Sequence, residues 1–113
     1  MSKRVYIEID KEDLPEIFEI ELAGKNVYLK FDFNTVGSFY TVDLFDNNMD
    51  PIIIGEKLSY GRKLWNGLND PRIPNVDIMP FDESLKEKTI TPDNLGVTVF
   101  LYLMTLEADG EYL

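Results

Sequence analysis

The chain contains neither cysteine nor histidine. Without cysteine it has no disulfide framework, no thiolate metal site and no thiol nucleophile. Without histidine it has no histidine-based triad, no imidazole metal ligand and no imidazole pH switch. Positive charge is scarce: 11 Lys and Arg stand against 21 Asp and Glu, a net charge of −10 over 113 residues. Binding duplex DNA through its phosphates needs the opposite balance, so no sequence-specific nucleic-acid contact is expected. No apolar run approaches the ~20 residues of a membrane helix, so no membrane span is expected. Met1 to Arg4 lead into alternating residues and not into an apolar signal core. The lack of cysteine suits synthesis in a reducing cytoplasm.

What is present is enough for a folded core. The sequence is 44% hydrophobic and 12% aromatic, and its length fits one domain spanning residues 1–113. The dominant period is two, the signature of strands. Val5, Ile7 and Ile9 alternate with Tyr6 and Glu8. Phe18, Ile20 and Leu22, then Val27, Leu29, Phe31 and Phe33, then Tyr40, Val42 and Leu44, repeat the pattern. Turn residues separate these runs at Ala23-Gly24, at Asn34 to Ser38 and at Asp46 to Pro51. Residues 17–45 therefore predict a three-strand antiparallel meander. Asp13-Leu14-Pro15-Glu16 also carries helix-start chemistry, but the alternation over 17–22 and the turn after it favour a strand.

Further along, Pro51 to Gly55 predicts a short buried strand. Tyr60 to Gly67 predicts one short helix, bracketed by glycines. Val76 to Phe81 predicts another strand, and polar residues 82–94 a surface loop able to move. Val97 to Leu106 is apolar on both faces, which predicts a strand covered on both sides. That cover is either the protein's own loops or another protein chain. The tail 107–113 reads as frayed. The sum is an all-β domain, a small antiparallel β-barrel or β-sandwich of about seven short strands with one short helix near 60–67.

Chemistry is harder to find. Glu8, Glu19, Glu21, Asp32 and Asp43 occupy outward strand positions and read as a solvated face, though a glycosidase-type carboxylate pair remains an arithmetic option. Asp46, Asn48 and Asp50 match the first oxygen positions of a calcium loop. Pro51 and Lys57 stand where that loop needs Gly and Glu, so the segment reads as a turn. No catalytic residue, cofactor or metal is expected. Trp65, with Tyr60 and Leu64, either plugs a core or anchors a partner. Phe100 and Tyr102 are the matching candidates on the last strand. The partner-interface candidates are thus Tyr60, Leu64, Trp65, Phe100 and Tyr102. Lys57, Arg62, Lys63 and Arg72 make residues 57–72 locally basic, a side suited to an acidic partner surface.

Four blocks together resemble the phage baseplate plug family, small proteins of contractile-tailed phages and prophages. They are Leu14-Pro15-Glu16-Ile17-Phe18 leading to Leu22-Ala23-Gly24-Lys25; Tyr40 to Asp46; Pro51 to Leu58 with Gly61 and Leu64; and Thr91 to Gly96 before Val97 to Leu103. They span about residues 5–105 in the family's order. Two departures point to a different surface: Asn48-Met49-Asp50 where the family usually has a turn glycine, and Phe100 where it often has Arg. The resemblance implies a non-enzymatic virion component that plugs or braces the central hub of the tail baseplate near the tail-tube end. It also implies contacts with hub or other tail proteins, and it is compatible with a homo-oligomer. The alternative of another class is a small ligand- or carbohydrate-binding β-domain. That reading needs Trp65, Tyr60 and Tyr40 as an exposed aromatic platform.

Overall fold

A computed structural model describes residues 5–104. Two antiparallel sheets make up the fold. The larger is β2 (Glu16–Leu22), β3 (Lys25–Asn34), β4 (Phe39–Phe45) and β5 (Pro51–Lys57), ordered β2-β3-β4-β5. The smaller is β1 (Tyr6–Ile7), β6 (Asp77–Phe81) and β7 (Phe100–Met104), ordered β1-β7-β6. Among the described residues neither sheet closes on itself, so their architecture is all-β with seven strands and no closed barrel.

The meander forms where the alternation placed it, and the strand reading of residues 17–22 holds. Phe18 pairs with Leu29, Leu29 with Leu44, and Phe31 with Val42. Residues directly opposite in an antiparallel ladder share a face, so these side chains gather on one side. Leu29, Val42 and Leu44 are fully buried there, and the Phe18 and Phe31 rings stack at 5.9 Å. Ala23 and Gly24 join β2 to β3 with φ of 51° and 81°. Two successive positive φ values match the right-handed twist of a two-residue hairpin. The buried residues of both sheets form one hydrophobic cluster, with Ile7, Ile78 and Leu101 from the smaller sheet and Leu22, Val27, Leu29, Phe31, Val42 and Leu44 from the larger.

Two expectations are corrected. No helix forms at 60–67; the segment is a chain of turns. Gly61, Trp65 and Gly67 have φ of 70°, 44° and 83°, which interrupts a right-handed helix every few residues. Its amides bond sideways instead: Gly61 N donates to Pro80 O at 2.7 Å and Leu64 N to Ile78 O at 2.8 Å. Secondly, β5 is an edge strand and not a buried one. Among the described residues it pairs only with β4, and Ile54 is 62% exposed. A bulge near Gly55 (φ 79°) breaks its alternation.

The 82–94 loop lies at the surface as expected, with hydrogen bonds anchoring both of its ends. Asp82 accepts from the amides of Ser84, Lys86 and Glu87 and from the Ser84 hydroxyl. Asn94, also buried, accepts from Thr91 N and donates to Thr89 O and Glu87. The last apolar run yields a strand only from Phe100; that strand is central in its sheet, with Leu101, Tyr102 and Met104 buried and Phe100 and Leu103 half-buried, so its cover is incomplete. Leu106 and the tail 107–113 lie outside the described residues. Among those residues, no helix is long and apolar enough to cross a membrane.

Candidate assembly surface

The bulge in β5 organises the segment around Trp65. Glu56 pairs with Val42 and so turns toward the inner face. Its Oε2 accepts a 2.6 Å hydrogen bond from Trp65 N, where the backbone runs with positive φ. Trp65 and Leu64 are buried, 6% and 4% exposed, and belong to the core. Tyr60 is half-buried, and its hydroxyl accepts from Asp82 N at 3.0 Å. Turns 59–65 thus lie along the outer edge of β6 and satisfy its Ile78 and Pro80 carbonyls.

The smaller sheet has a second face, turned away from Ile7, Ile78 and Leu101. Strand parity puts Tyr6, Met79, Phe81, Phe100 and Tyr102 there. The rings make a continuous row: Tyr6 to Phe100 at 4.5 Å, Phe100 to Tyr102 at 6.0 Å, and Phe81 to Tyr102 at 4.7 Å. Tilted and edge-on rings at these separations attract beyond their simple area burial. Tyr102 is buried and donates its hydroxyl to Glu83 at 3.2 Å. Phe100 is half-buried and Tyr6 is 41% exposed, so these two carry the row to the surface.

The five interface candidates therefore do not share one surface. Leu64, Trp65 and Tyr102 are interior, while Tyr60 and Phe100 reach the surface at different points. The aromatic platform does not assemble, because Tyr40 is buried along with Trp65. Burial, with the charges of Glu12 and Asp93 adding to it, pushes the Tyr40 hydroxyl pKa up. Tyr6 is the surface residue that sequence reading passed over. The available signal was an aromatic at an outward position of the first run.

The basic stretch is largely spent on local partners. Arg72 binds Asp70 through two guanidinium nitrogens, at 2.9 and 3.2 Å. Those hydrogen bonds hold the Asp70 carboxyl below the usual range. Lys63 meets Asp77 at 3.5 Å, and Lys57 lies 4.9 Å from the centre of the Phe39 ring. Arg62 is exposed.

Several carboxylates are likewise occupied. Asp43 accepts from Gly55 N at 2.7 Å and fills the gap left by the bulge. Asp46 accepts from the amides of Asn48 and Asp50, so the calcium-like stretch is a self-bonded turn. Asp82 is buried, and hydrogen bonds led by the Ser84 hydroxyl lower its pKa. A general acid would need its pKa raised.

A family model described as cyanophage baseplate Pam3 plug gp18 matches residues 4–107. No curated protein matches the chain, and no solved structure does.

Proposed function

The chain belongs to the cyanophage baseplate plug family, and from that premise we propose that it is a structural, non-enzymatic component of a phage or prophage tail baseplate. In this reading it is made in the bacterial cytoplasm and ends in the virion, where it plugs or braces the central hub near the tail-tube end. The observation that carries the reading is a family match running through both sheets and every connecting loop.

The physical features support adhesion more than chemistry. The described acids with displaced pKa values, Asp70 and Asp82, are both held in the ionised form by hydrogen bonds. The surface instead offers unpaired strand edges and the exposed end of an aromatic row, which suit contact with another chain. The ligand-binding alternative loses its platform with the burial of Tyr40 and Trp65.

The test is co-expression with a tail hub protein from the same phage or prophage. The two are expected to elute together on size exclusion at micromolar concentration. Separate elution removes direct hub binding. Labelled antibody on negatively stained particles is expected to mark the baseplate; marking elsewhere on the particle, or none, removes the baseplate role itself.

A further inference from the structure

Asn66 and Gly67 form the tip of a turn. Leu68 N donates to Trp65 O at 3.1 Å, which closes four residues with Asn66 and Gly67 at their centre. Gly67 is third in that turn and has φ of 83°, a conformation that favours glycine there. Both central residues are exposed. One side of the turn is anchored, Trp65 N by Glu56 and Leu64 N by Ile78 O. The closing bond uses the amide of the fourth residue and leaves that of the third unused. Among the described residues, none bonds the Gly67 amide or the Asn66 side chain.

This pair of residues is chemically reactive. The backbone nitrogen that follows an asparagine lies near its side-chain carbonyl carbon, and glycine has no Cβ to obstruct the approach. The space around Gly67 is open, since a Cβ built there would meet nothing within 4 Å. The other asparagines of the described residues are less favourably placed. Asn69, in the same loop, precedes Asp70, which is larger and negative. Asn26 and Asn75 precede Val27 and Val76, whose β-branched side chains crowd the nitrogen. Asn34 accepts from Gly37 N, and Asn94 is buried with its side chain bonded to Thr91, Thr89 and Glu87.

We propose that Asn66-Gly67 is a site of spontaneous deamidation. The Gly67 nitrogen loses its proton to solvent and forms a bond to Asn66 Cγ. The Cγ–Nδ2 bond breaks, Nδ2 takes a proton from solvent, and ammonia leaves behind a cyclic imide. Water then opens the imide at either carbonyl. One opening gives aspartate, and the other gives isoaspartate, in which the main chain runs through the side-chain carbon. Overall one water is consumed and one ammonia is released. Either product puts a carboxylate where a neutral amide stood, on the wall of a cavity of about 270 Å³ that already carries Asp70 and Asp77. Isoaspartate also lengthens the main chain inside the turn that the Leu68–Trp65 bond closes.

The test incubates the purified full chain at mildly acidic and mildly alkaline pH and then cuts it with trypsin. Cleavage after Lys63 and Arg72 releases residues 64–72 as one peptide, which carries Asn66 and Asn69 together. Its fragment masses are expected to show conversion at position 66 at least about tenfold faster than at position 69. The rate should rise with pH, and chromatography of the peptide should show more isoaspartate than aspartate. Asn66→Gln, at an exposed position, should remove conversion at that position. A synthetic peptide of residues 64–72 supplies the rate without the fold. Conversion in that peptide but not in the folded chain overturns the proposal, because the turn then protects the amide. So do equal rates at positions 66 and 69, a rate that does not rise with pH, or aspartate as the sole product. No hub protein or virion is involved, so the result is independent of the baseplate role.

Discussion

Residues 16–57 and residues 58–104 solve the same problem in different ways. In the first stretch each strand pairs with the next one along the chain, and the register follows from short turns. In the second, β6 and β7 pair across a long loop, and β1 reaches β7 from the other end of the chain, Tyr6 facing Tyr102. The first is held by ladders and an inward apolar face. The second relies on polar side chains that bond backbone amides: Glu56 to Trp65, Asp82 to the 84–87 turn, and Asn94 to Thr91. Where the chain has no regular period, a carboxylate or an amide takes the place of the missing ladder partner.

That contrast can be broken from either side. The largest effect is expected from Phe31→Ala at the centre of the meander, where the ring is 1% exposed. It should cost about 3–5 kcal/mol in denaturant unfolding. Asn94→Ala should come next, at about 2–3 kcal/mol, because buried partners lose their bonds. Hydrogen exchange should then quicken over residues 87–99 and stay slow over 25–45. Glu56→Ala should cost about 1–2 kcal/mol by leaving Trp65 N without its acceptor, and Glu56→Gln should recover much of it.

Asp82 sharpens the comparison through pH. Its folded pKa lies below the ordinary carboxylate value because the Ser84 hydroxyl and the amides of Glu87, Ser84 and Lys86 donate to it. Its stabilisation is therefore complete above about pH 4, the unfolded value. It is lost as pH falls through the folded one. Asp82→Asn should flatten the acid limb of a plot of stability against pH. The smallest effect is a gain: Ala23→Asn, at a position with φ of 51°, should raise stability by about 0.5–1 kcal/mol. It acts on one hairpin and should leave the second region's exchange rates unchanged.

The candidate surface was legible only in fragments. Phe100 stood out because β7 is apolar on both faces, and the structure leaves it half-buried, at the surface end of the aromatic row. Trp65 and Leu64 stood out for composition, yet they are interior. Spacing alone does not reveal that the β5 bulge turns Glu56 inward to hold the Trp65 backbone. Tyr6 had the right phase, but its importance depends on Tyr102, which is nearly a hundred positions away.

Alternation by itself determined the all-β class, the meander and the inward set from Phe18 to Leu44, because the two-residue period is a local property of the strand. The four sequence blocks were enough to point to the family. Only the tertiary structure decided that 60–67 is not a helix, since Gly61, Trp65 and Gly67 run with positive φ and the amides of Gly61, Leu64 and Trp65 bond across to β6 and Glu56. It alone decided that β1 joins β7 and that the β5 bulge turns Glu56 toward the Trp65 backbone. Those features arise between separate segments of the chain, and no local pattern encodes the distance across them.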